Sequence, residues 1–257
     1  MVTPMAAGNS AAASQPILSV RGVAKAFGGL QVLREVSLDV PRNGITGLIG
    51  PNGSGKTTLF DVITRYQNCD AGEISFAGQS ILPLLPHQVS HRGLVRTFQL
   101  TRVFPGLTVA ENLLVFADRA HPRGKDAADT RPHGEDKARE MLDFVGLLRL
   151  ATHEAATLSY GQLKLLEIAQ VLMLDPRMLM LDEPMAGINP GLADELMQRL
   201  LALRERGLTL LIVEHNIPVI QRLCDAVAVL NTGQVMAHGK PDEVLGDRDV
   251  REAFLGE

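Results

Sequence analysis

The chain has 257 residues, of which 46% are hydrophobic and 21% are charged, and its formal net charge is −4. This composition is ordinary for a folded globular protein and excludes a largely disordered one. The weakly negative charge gives no support to a nucleic-acid partner, because such partners usually require a basic surface. The sequence has no run that approaches the roughly 18 apolar residues of a membrane span, so we expect any membrane contact to go through a partner.

The cysteines and the N-terminal residues both favour a cytoplasmic protein. Cys69 and Cys224 show no spacing typical of a metal site, which indicates a reducing compartment. Residues 1–15 are rich in Ala and Ser but lack the basic start and the apolar core of a signal peptide. We interpret them as a disordered tail, followed by one folded domain over residues 16–257.

The first hundred residues are predicted to consist mainly of strands. Short β-type runs separated by turn residues occupy 17–23, 34–40, 44–50, 72–78 and 93–98. The third run leads into a glycine-rich loop, and the spacing of apolar residues after Thr57 predicts a helix. The expected unit is a strand, a loop and a helix in that order.

A helical insertion is expected at about residues 100–172. Leu, Ala, Glu and Arg dominate there, and Thr108 with Glu111 forms a helix-start pattern. Residues 121–136 are polar and contain Pro and Gly, which predicts a connecting surface loop between two helices.

The strand pattern returns after the insertion. Residues 177–184 and 208–215 read as buried strands, and 191–207 between them reads as a helix. Such alternation predicts parallel strands joined by helical crossovers, and therefore an α/β fold. Residues 226–239 predict two further strands joined at Asn231-Thr232-Gly233.

The glycine-rich loop matches the pattern G-x-x-x-x-G-K-[ST] through Gly50, Gly55, Lys56 and Thr57. Glycine allows several backbone N–H groups to point at one anion, and the following helix adds its positive N-terminal end. Lys56 would neutralise phosphate charge and the Thr57 hydroxyl would bind Mg²⁺. The loop therefore predicts a polyphosphate site.

Charged residues follow the two later buried strands. Asp182 and Glu183 come directly after "MLML", and His215 follows "LLIVE". Open α/β sheets place ligands at the carboxyl ends of parallel strands. We expect Asp182 to hold Mg²⁺ directly or through water, Glu183 to deprotonate an attacking water, and His215 to reach the γ-phosphate.

A second anion site is predicted at another helix start. Ser159 and Gln162 form a capping-box pattern in "LSYGQ". Gly161 lacks a side chain at the helix entrance, which we interpret as room for a ligand oxygen. The sequence leaves open whether this site and the phosphate loop serve one molecule or two.

The motifs "GPNGSGKTT", "LSYGQ", "LMLDEP" and "VEH", in this order, resemble those of the nucleotide-binding subunit of ATP-binding cassette (ABC) transporters. The resemblance covers residue 17 to the end. It implies a P-loop NTPase (RecA-like) core with an antiparallel β subdomain and the helical insertion as a subdomain. It also implies ATP and Mg²⁺ as cofactors, held between two such subunits.

The resemblance implies a role for each matching residue. Glu183, His215 and Gln99 would be catalytic, and Thr57, Gln99 and Asp182 would serve the metal. Gln99 in "RTFQL" looks like the glutamine that links the site to a membrane subunit, and Phe27 is placed like an aromatic residue that stacks on adenine, with a core phenylalanine as the alternative. The nucleotide-binding set would be Phe27, Gly50, Pro51, Asn52, Gly53, Ser54, Gly55, Lys56, Thr57, Thr58, Ser159, Gly161 and Gln162.

Longer segments narrow the resemblance to one subfamily. Residues 95–115, "EPMAGINP" and the terminal "VREAFLGE" look like ATPase subunits of branched-chain amino-acid importers, and those of urea and short-chain amide importers are similar. This implies two transmembrane permease subunits, a second ATPase subunit, an extracytoplasmic binding protein acting indirectly, and no nucleic acid. The second ATPase would be a sister chain, with a second copy of this chain as the alternative. The protein would lie at the inner face of the membrane through the permease.

Three positions depart from the commonest family pattern: Tyr160, Gln170 and Asn189. These departures would affect the hydrolysis rate and the coupling of the two subunits rather than ATP binding.

Two other classes of protein stay open: a soluble ABC protein of repair or translation, and a small-molecule P-loop kinase. The first usually has tandem cassettes or long coiled-coil insertions, and the second has no need of the "LSYGQ" helix start.

Overall fold

The computed structural model describes residues 15–97, 103–120 and 134–255. Within them, the N-terminal strands form an antiparallel sheet of four strands in the order β2-β1-β4-β5. Its strands are β1 (Leu18–Phe27), β2 (Leu30–Val40), β4 (Ala71–Phe76) and β5 (Gln79–Ser80). Strands are found where 17–23, 34–40 and 72–78 predicted them, but β1 continues to Phe27 and β2 already begins at Leu30.

The remaining described strands form a second, six-stranded sheet. They are β3 (Ile45–Ile49), β6 (Leu94–Arg96), β7 (Met178–Asp182), β8 (Thr209–Val213), β9 (Ala226–Asn231) and β10 (Gln234–Gly239). The order is β10-β9-β3-β8-β7-β6, and every neighbouring pair is parallel except β9 and β10, which form an antiparallel hairpin. The α/β class and the predicted parallel strands are confirmed.

Helices connect the parallel strands. Those described are α1 (Lys56–Ile63), α2 (Pro86–His91), α3 (Val109–Ala120), α4 (Gly134–Phe144), α5 (Tyr160–Leu172), α6 (Pro190–Glu205), α7 (Ile217–Leu223), α8 (Pro241–Gly246) and α9 (Arg248–Leu255). Helices α3, α4 and α5 pack on one another and lie within the region predicted as a helical insertion. None of the helices in the described ranges is both long and apolar enough to cross a membrane.

The predicted loop over 121–136 ends too late. Residues 134–136 form the first turn of α4, and 121–133 lie outside the described residues. Glu135 and Asp136 in that turn explain the error, because acidic residues make a segment look loop-like and yet favour the positive N-terminal end of a helix. Helix α2, which begins at Pro86, was not predicted either.

The six-stranded sheet is buried on both faces. Along β7, Leu179 and Leu181 pack into the core that contains the helical insertion, whereas Met178 and Met180 pack with α1 and the antiparallel sheet. Side chains of a strand alternate between faces, so a continuous apolar run fits a strand covered on both sides. This explains why the runs before Asp182 and Glu214 contain no polar residue.

The strands β3, β7 and β8 end at one edge of this sheet. Leu48 of β3 and Asp182 of β7 both pair with Val213, the last residue of β8. The loops that follow these strands therefore meet, and they are the three loops in which the sequence places the phosphate loop, the acidic pair and His215.

Candidate active site

The phosphate loop between β3 and α1 needs glycine at two close approaches. A Cβ at Gly50 would lie 2.0 Å from the Leu230 carbonyl oxygen, and one at Gly55 would lie 2.9 Å from Leu33 Cδ2. Gly53 has a positive φ of 80° and open space beside it. The loop thus packs closely against β9 and β2 on one side, and its tip is open to solvent.

Lys56 folds back over the loop. Its Nζ donates hydrogen bonds to the carbonyl oxygens of Gly50 and Pro51, at 2.8 and 2.9 Å. Burial lowers the pKa of Lys56 below its usual value, and the charges of Glu183 and Asp182 oppose this shift. The ammonium group is therefore partly dehydrated and within electrostatic range of both carboxylates, where an added phosphate charge would stabilise it.

The hydroxyls of Ser54 and Thr57 in the loop are suited to binding a ligand. Ser54 is buried, and its Oγ has no hydrogen-bond partner among the described residues. A buried hydroxyl without a partner costs free energy, which a bound oxygen could recover. Thr57 is exposed at the start of α1, as are Asn52 and Gly53 at the tip. This arrangement fits the phosphates of a nucleotide together with a Mg²⁺ ion, which proteins hold through few side chains.

Asp182 is buried and ion-paired. Its Oδ2 lies 2.9 Å from Nη2 of Arg96, and Nη1 of the same guanidinium lies 2.5 Å from Asp61 of α1. The side chains of Arg96 and Asp182 are only 5% and 3% exposed. Arg96 thus connects β6, β7 and α1. From the sequence alone, Arg96 is part of a predicted strand and has no predicted role. A charged residue in a buried strand nevertheless indicates a buried partner of opposite charge.

Glu183 and His215 come together at the sheet edge. Nδ1 of His215 lies 3.8 Å from Oε1 of Glu183, and the two side chains are 63% and 25% exposed. The Glu183 backbone is in the left-handed region with φ of 48°; its N–H donates to the Val213 carbonyl and its carbonyl accepts from Lys164 Nζ, each at 3.0 Å. Such a backbone conformation in a non-glycine residue is typical of functional sites.

The second helix start has the predicted capping box. The Ser159 N–H donates to Oε1 of Gln162 at 2.9 Å, and the Gln162 N–H donates to Oγ of Ser159 at 3.4 Å. The interpretation of Gly161 is wrong for this structure, because the space that its missing side chain leaves is taken by Leu192. A Cβ there would lie 2.1 Å from Leu192 Cδ2, so Gly161 serves the packing of α5 on α6.

Phe27 is a surface residue. Its ring is exposed, with 44% of the residue accessible, and Lys25 Nζ lies 5.1 Å from the ring centroid. The alternative of a core phenylalanine is therefore wrong. Gln99, predicted for both catalysis and metal binding, lies outside the described residues.

The three unusual positions have structural partners. Nε2 of buried Gln170 donates to Oδ1 of Asn112 at 3.2 Å and joins α5 to α3. Asn189 caps α6 by accepting from the Leu192 N–H at 3.0 Å. Tyr160 is half-exposed, lies over Gly187 and has Lys164 Nζ 5.5 Å from its ring centroid.

Comparison with known proteins decides the family. The family model described as "ABC transporter" matches residues 33–186, and the model "Branched-chain amino acid ATP-binding cassette transporter" matches residues 234–257. The chain belongs to the ABC transporter ATP-binding family. The first match includes the phosphate loop, the capping box of α5 and the acidic pair.

Relatives of the cassette are similar over nearly their whole length. A probable branched-chain amino acid transport ATP-binding protein LivG of Archaeoglobus fulgidus is 38% identical over 93% of this chain and 95% of its own. The high-affinity branched-chain amino acid transport ATP-binding protein BraF of Pseudomonas aeruginosa is 39% identical over 95% and 99%. Among solved structures, an ATP-binding cassette of an ABC transporter in its ADP conformation is 36% identical, with a TM-score of 0.84 over 95% of this chain and 100% of that one. The cassette fold implied by the motifs is confirmed.

Proposed function

We propose that the protein is the ATP-hydrolysing subunit that energises an importer of branched-chain or other hydrophobic amino acids. The observation that carries the proposal is the meeting of the phosphate loop, Asp182, Glu183 and His215 at one edge of the sheet. The match of residues 234–257 to the branched-chain amino acid model and the names of the relatives support the choice of cargo.

The phosphates of ATP would lie in the loop from Gly50 to Thr58. Lys56 is prepared for this role because it is held by loop carbonyls rather than by a carboxylate. Asn52 and Gly53 are exposed at the loop tip, where their N–H groups can reach an anion. Phe27 exposes its ring on the β1–β2 hairpin and would stack on adenine.

Mg²⁺ would be held by the Thr57 hydroxyl, by Asp182 and by Gln99, and when bound it neutralises charge that develops on the phosphates. Asp182 has one oxygen paired with Arg96, which leaves Oδ1 for the ion or its water. Arg96 therefore orients the carboxylate through this charge-assisted hydrogen bond.

Glu183 would act as general base toward the attacking water. Its carboxylate follows the buried strand β7 and is partly exposed, so water can reach it. His215 would donate a hydrogen bond to the transferred phosphate from the opposite loop. The fixed backbone of Glu183, bound to Val213 and Lys164, limits where that carboxylate can move.

A second ATPase subunit would complete each site. Ser159 and Gln162 bond to each other at the start of α5, and in the described residues neither side chain bonds to the phosphate loop of its own chain. We infer that they serve the nucleotide of a partner subunit, either a sister chain or a second copy. An extracytoplasmic binding protein would act on this chain only through the permease.

Two permease subunits would anchor the ATPase pair at the inner face of the membrane. A groove of about 470 Å³ lies between α2, α3 and α5, and its lining combines apolar side chains such as Val89, Phe104 and Phe116 with the charged Arg96 and Glu167. Its lining includes Arg96 and Phe104, which flank in sequence the segment that contains Gln99, so a permease helix seated there would sense the state of the site. A urea or short-chain amide importer would use the same surface, since the cargo is selected by other subunits.

Phosphate release from purified protein tests the proposal. Glu183→Gln should keep ATP affinity and lower kcat by about 100- to 10,000-fold, because the general base is lost. Lys56→Ala should instead abolish binding of a fluorescent ATP analogue or weaken it severely. Glu195→Gln, on the exposed face of α6, is the matched control and should change neither.

Undiminished hydrolysis by Glu183→Gln would remove Glu183 from the role of base. A small-molecule kinase would be revealed by a phosphorylated product in place of free phosphate.

A further inference from the structure

Glu214 is a buried carboxylate between two loops of the site. It directly follows β8, and only 2% of the residue is exposed. Its Oε1 accepts a hydrogen bond from the N–H of Met185 at 3.1 Å, and its Oε2 accepts from the N–H groups of His215 and Asn216 at 3.1 and 3.4 Å. Within the described part of the chain, the partners of its carboxylate are these backbone donors rather than a lysine or arginine.

The two loops that it joins carry the groups proposed for chemistry. Met185 lies two residues after Glu183, and His215 is the next residue after Glu214. The first loop is also bound to β8 through the hydrogen bond from the Glu183 N–H to Val213. Together these bonds fix the backbones of both loops relative to each other.

The side chain of His215 is not fixed by burial. His215 is 63% exposed and its Nδ1 lies 3.8 Å from Glu183 Oε1, beyond a direct hydrogen bond. The position of the imidazole therefore depends on the backbone that carries it, and that backbone is bound by Glu214.

We propose that Glu214 is a positioning residue that sets the separation of Glu183 and His215 by binding both loops, and that it controls turnover rather than ATP binding. The inference rests on the proposed function of ATP hydrolysis with Glu183 as base. Glu214 itself faces away from solvent and contacts backbone groups, so it acts through the two loops.

Glu214→Gln separates positioning from a purely structural role. Glutamine has one acceptor oxygen, so it can keep the bond to Met185 or those to His215 and Asn216, but its NH₂ group would oppose the remaining N–H donor. We expect kcat for ATP to fall by about 10- to 100-fold while KM and the affinity for a fluorescent ATP analogue change less than about twofold.

Asp225→Asn is the control for the loss of a carboxylate that accepts a backbone N–H; Asp225 is half-exposed and also pairs with Arg204, whereas Glu214 is buried. Asp225 also accepts a backbone N–H, that of Ile45 at 2.8 Å, but Ile45 begins β3 at the sheet edge opposite to the phosphate loop. This variant should lose stability with kcat unchanged. An equal fall in kcat for both variants would reduce Glu214 to a structural role and overturn the proposal.

A double-mutant cycle with His215→Ala tests whether Glu214 acts through the loops. If it does, Glu214→Gln should lower kcat by a factor at least about threefold smaller in the His215→Ala background, because one of the groups that it places is gone. The same factor in both backgrounds, an unchanged kcat, or a raised KM alone would each contradict the proposal.

Nuclear magnetic resonance of the His215 imidazole separates this inference from the proposed function. Its signals are identified by their loss in His215→Ala, and Glu214→Gln should shift them whereas Asp225→Asn should not. Unshifted signals overturn the positioning role whether or not the protein hydrolyses ATP. Shifted signals in a protein that binds ATP but releases no phosphate would support the positioning role and contradict the proposed hydrolysis.

Discussion

Single side chains in the site are constrained by charge as much as by shape. Lys56 bonds to two carbonyl oxygens, and Asp182 is paired with the buried Arg96. The motif patterns predicted Lys56 and Asp182 but not Arg96 or Glu214, because those two residues act on neighbours that are distant in sequence. Their partners become visible only when β6, β7 and β8 lie side by side.

Arg96→Met should destabilise the fold strongly. The guanidinium pairs with Asp61 and Asp182, and its removal leaves the buried Asp182 carboxylate without its ion-pair partner. We expect a loss of about 3–5 kcal/mol in the free energy of unfolding, measured by urea denaturation near neutral pH.

Arg21→Met is the control for Arg96→Met. Arg21 also pairs with an aspartate, Asp39, but both side chains are about half exposed, at 50% and 42%. Its loss should cost less than about 1 kcal/mol. Equal losses for the two variants would contradict the structural role assigned to Arg96.

The two cysteines should differ in reactivity toward a thiol reagent. Burial, with smaller contributions from Asp225 and Glu214, raises the pKa of Cys224 to about 12, so its thiol stays protonated through pH 10. Cys69 is only partly buried. We expect Cys69→Ser to abolish the reaction of the folded protein with Ellman's reagent at pH 8, and raising the pH to 9.5 should not restore it. Rapid labelling of folded Cys69→Ser would show that Cys224 is accessible and ionised.

At the scale of elements, the existence of the strands was predictable, whereas the full lengths of β1 and β2 and several helix details were not. Apolar runs between turn residues predicted β3, β7 and β8 because these strands are buried on both faces. Helix α2 begins at a proline, and the first turn of α4 is acidic, so both resemble loops in sequence. The capping box at Ser159 was predictable because it is local, whereas the contact of Gly161 with Leu192 joins two helices.

Gly161→Ala should reveal that helix contact. Alanine has a higher helix propensity than glycine, but at this first-turn position of α5 its Cβ would meet Leu192 Cδ2 at 2.1 Å. We expect the overpacked variant to lose about 1–3 kcal/mol in the free energy of unfolding.

The same substitution in a Leu192→Ala background should become neutral or stabilising, because the clash is gone. Urea denaturation of the four proteins measures this change of sign. A loss of stability that persists in the Leu192→Ala background would place the cause elsewhere.

At the scale of the molecule, the proposed chemistry and the proposed permease contact lie on different parts of the fold. The edge gathers the phosphate loop, Asp182, Glu183 and His215, and the groove between α2, α3 and α5 is the surface that we propose for a permease. The motif set predicted the class of chemistry, since each motif is a local pattern. The cargo could not be predicted from the residues of the site, because in the proposed importer other subunits select it. The expectations for both the cargo and the partners came from the subfamily resemblance.

The central claim is that this ATPase works in an importer, and the most direct test is mass spectrometry of the proteins that co-purify with a tagged copy from detergent-solubilised native membranes. The account predicts two permease subunits and a second ATPase chain, either a sister or an untagged copy. Their companion binding protein can then be screened against leucine, isoleucine, valine and urea. Recovery of the tagged chain alone, or with ribosomal or DNA-repair proteins, would contradict the transport role and leave the ATP-binding cassette without a permease.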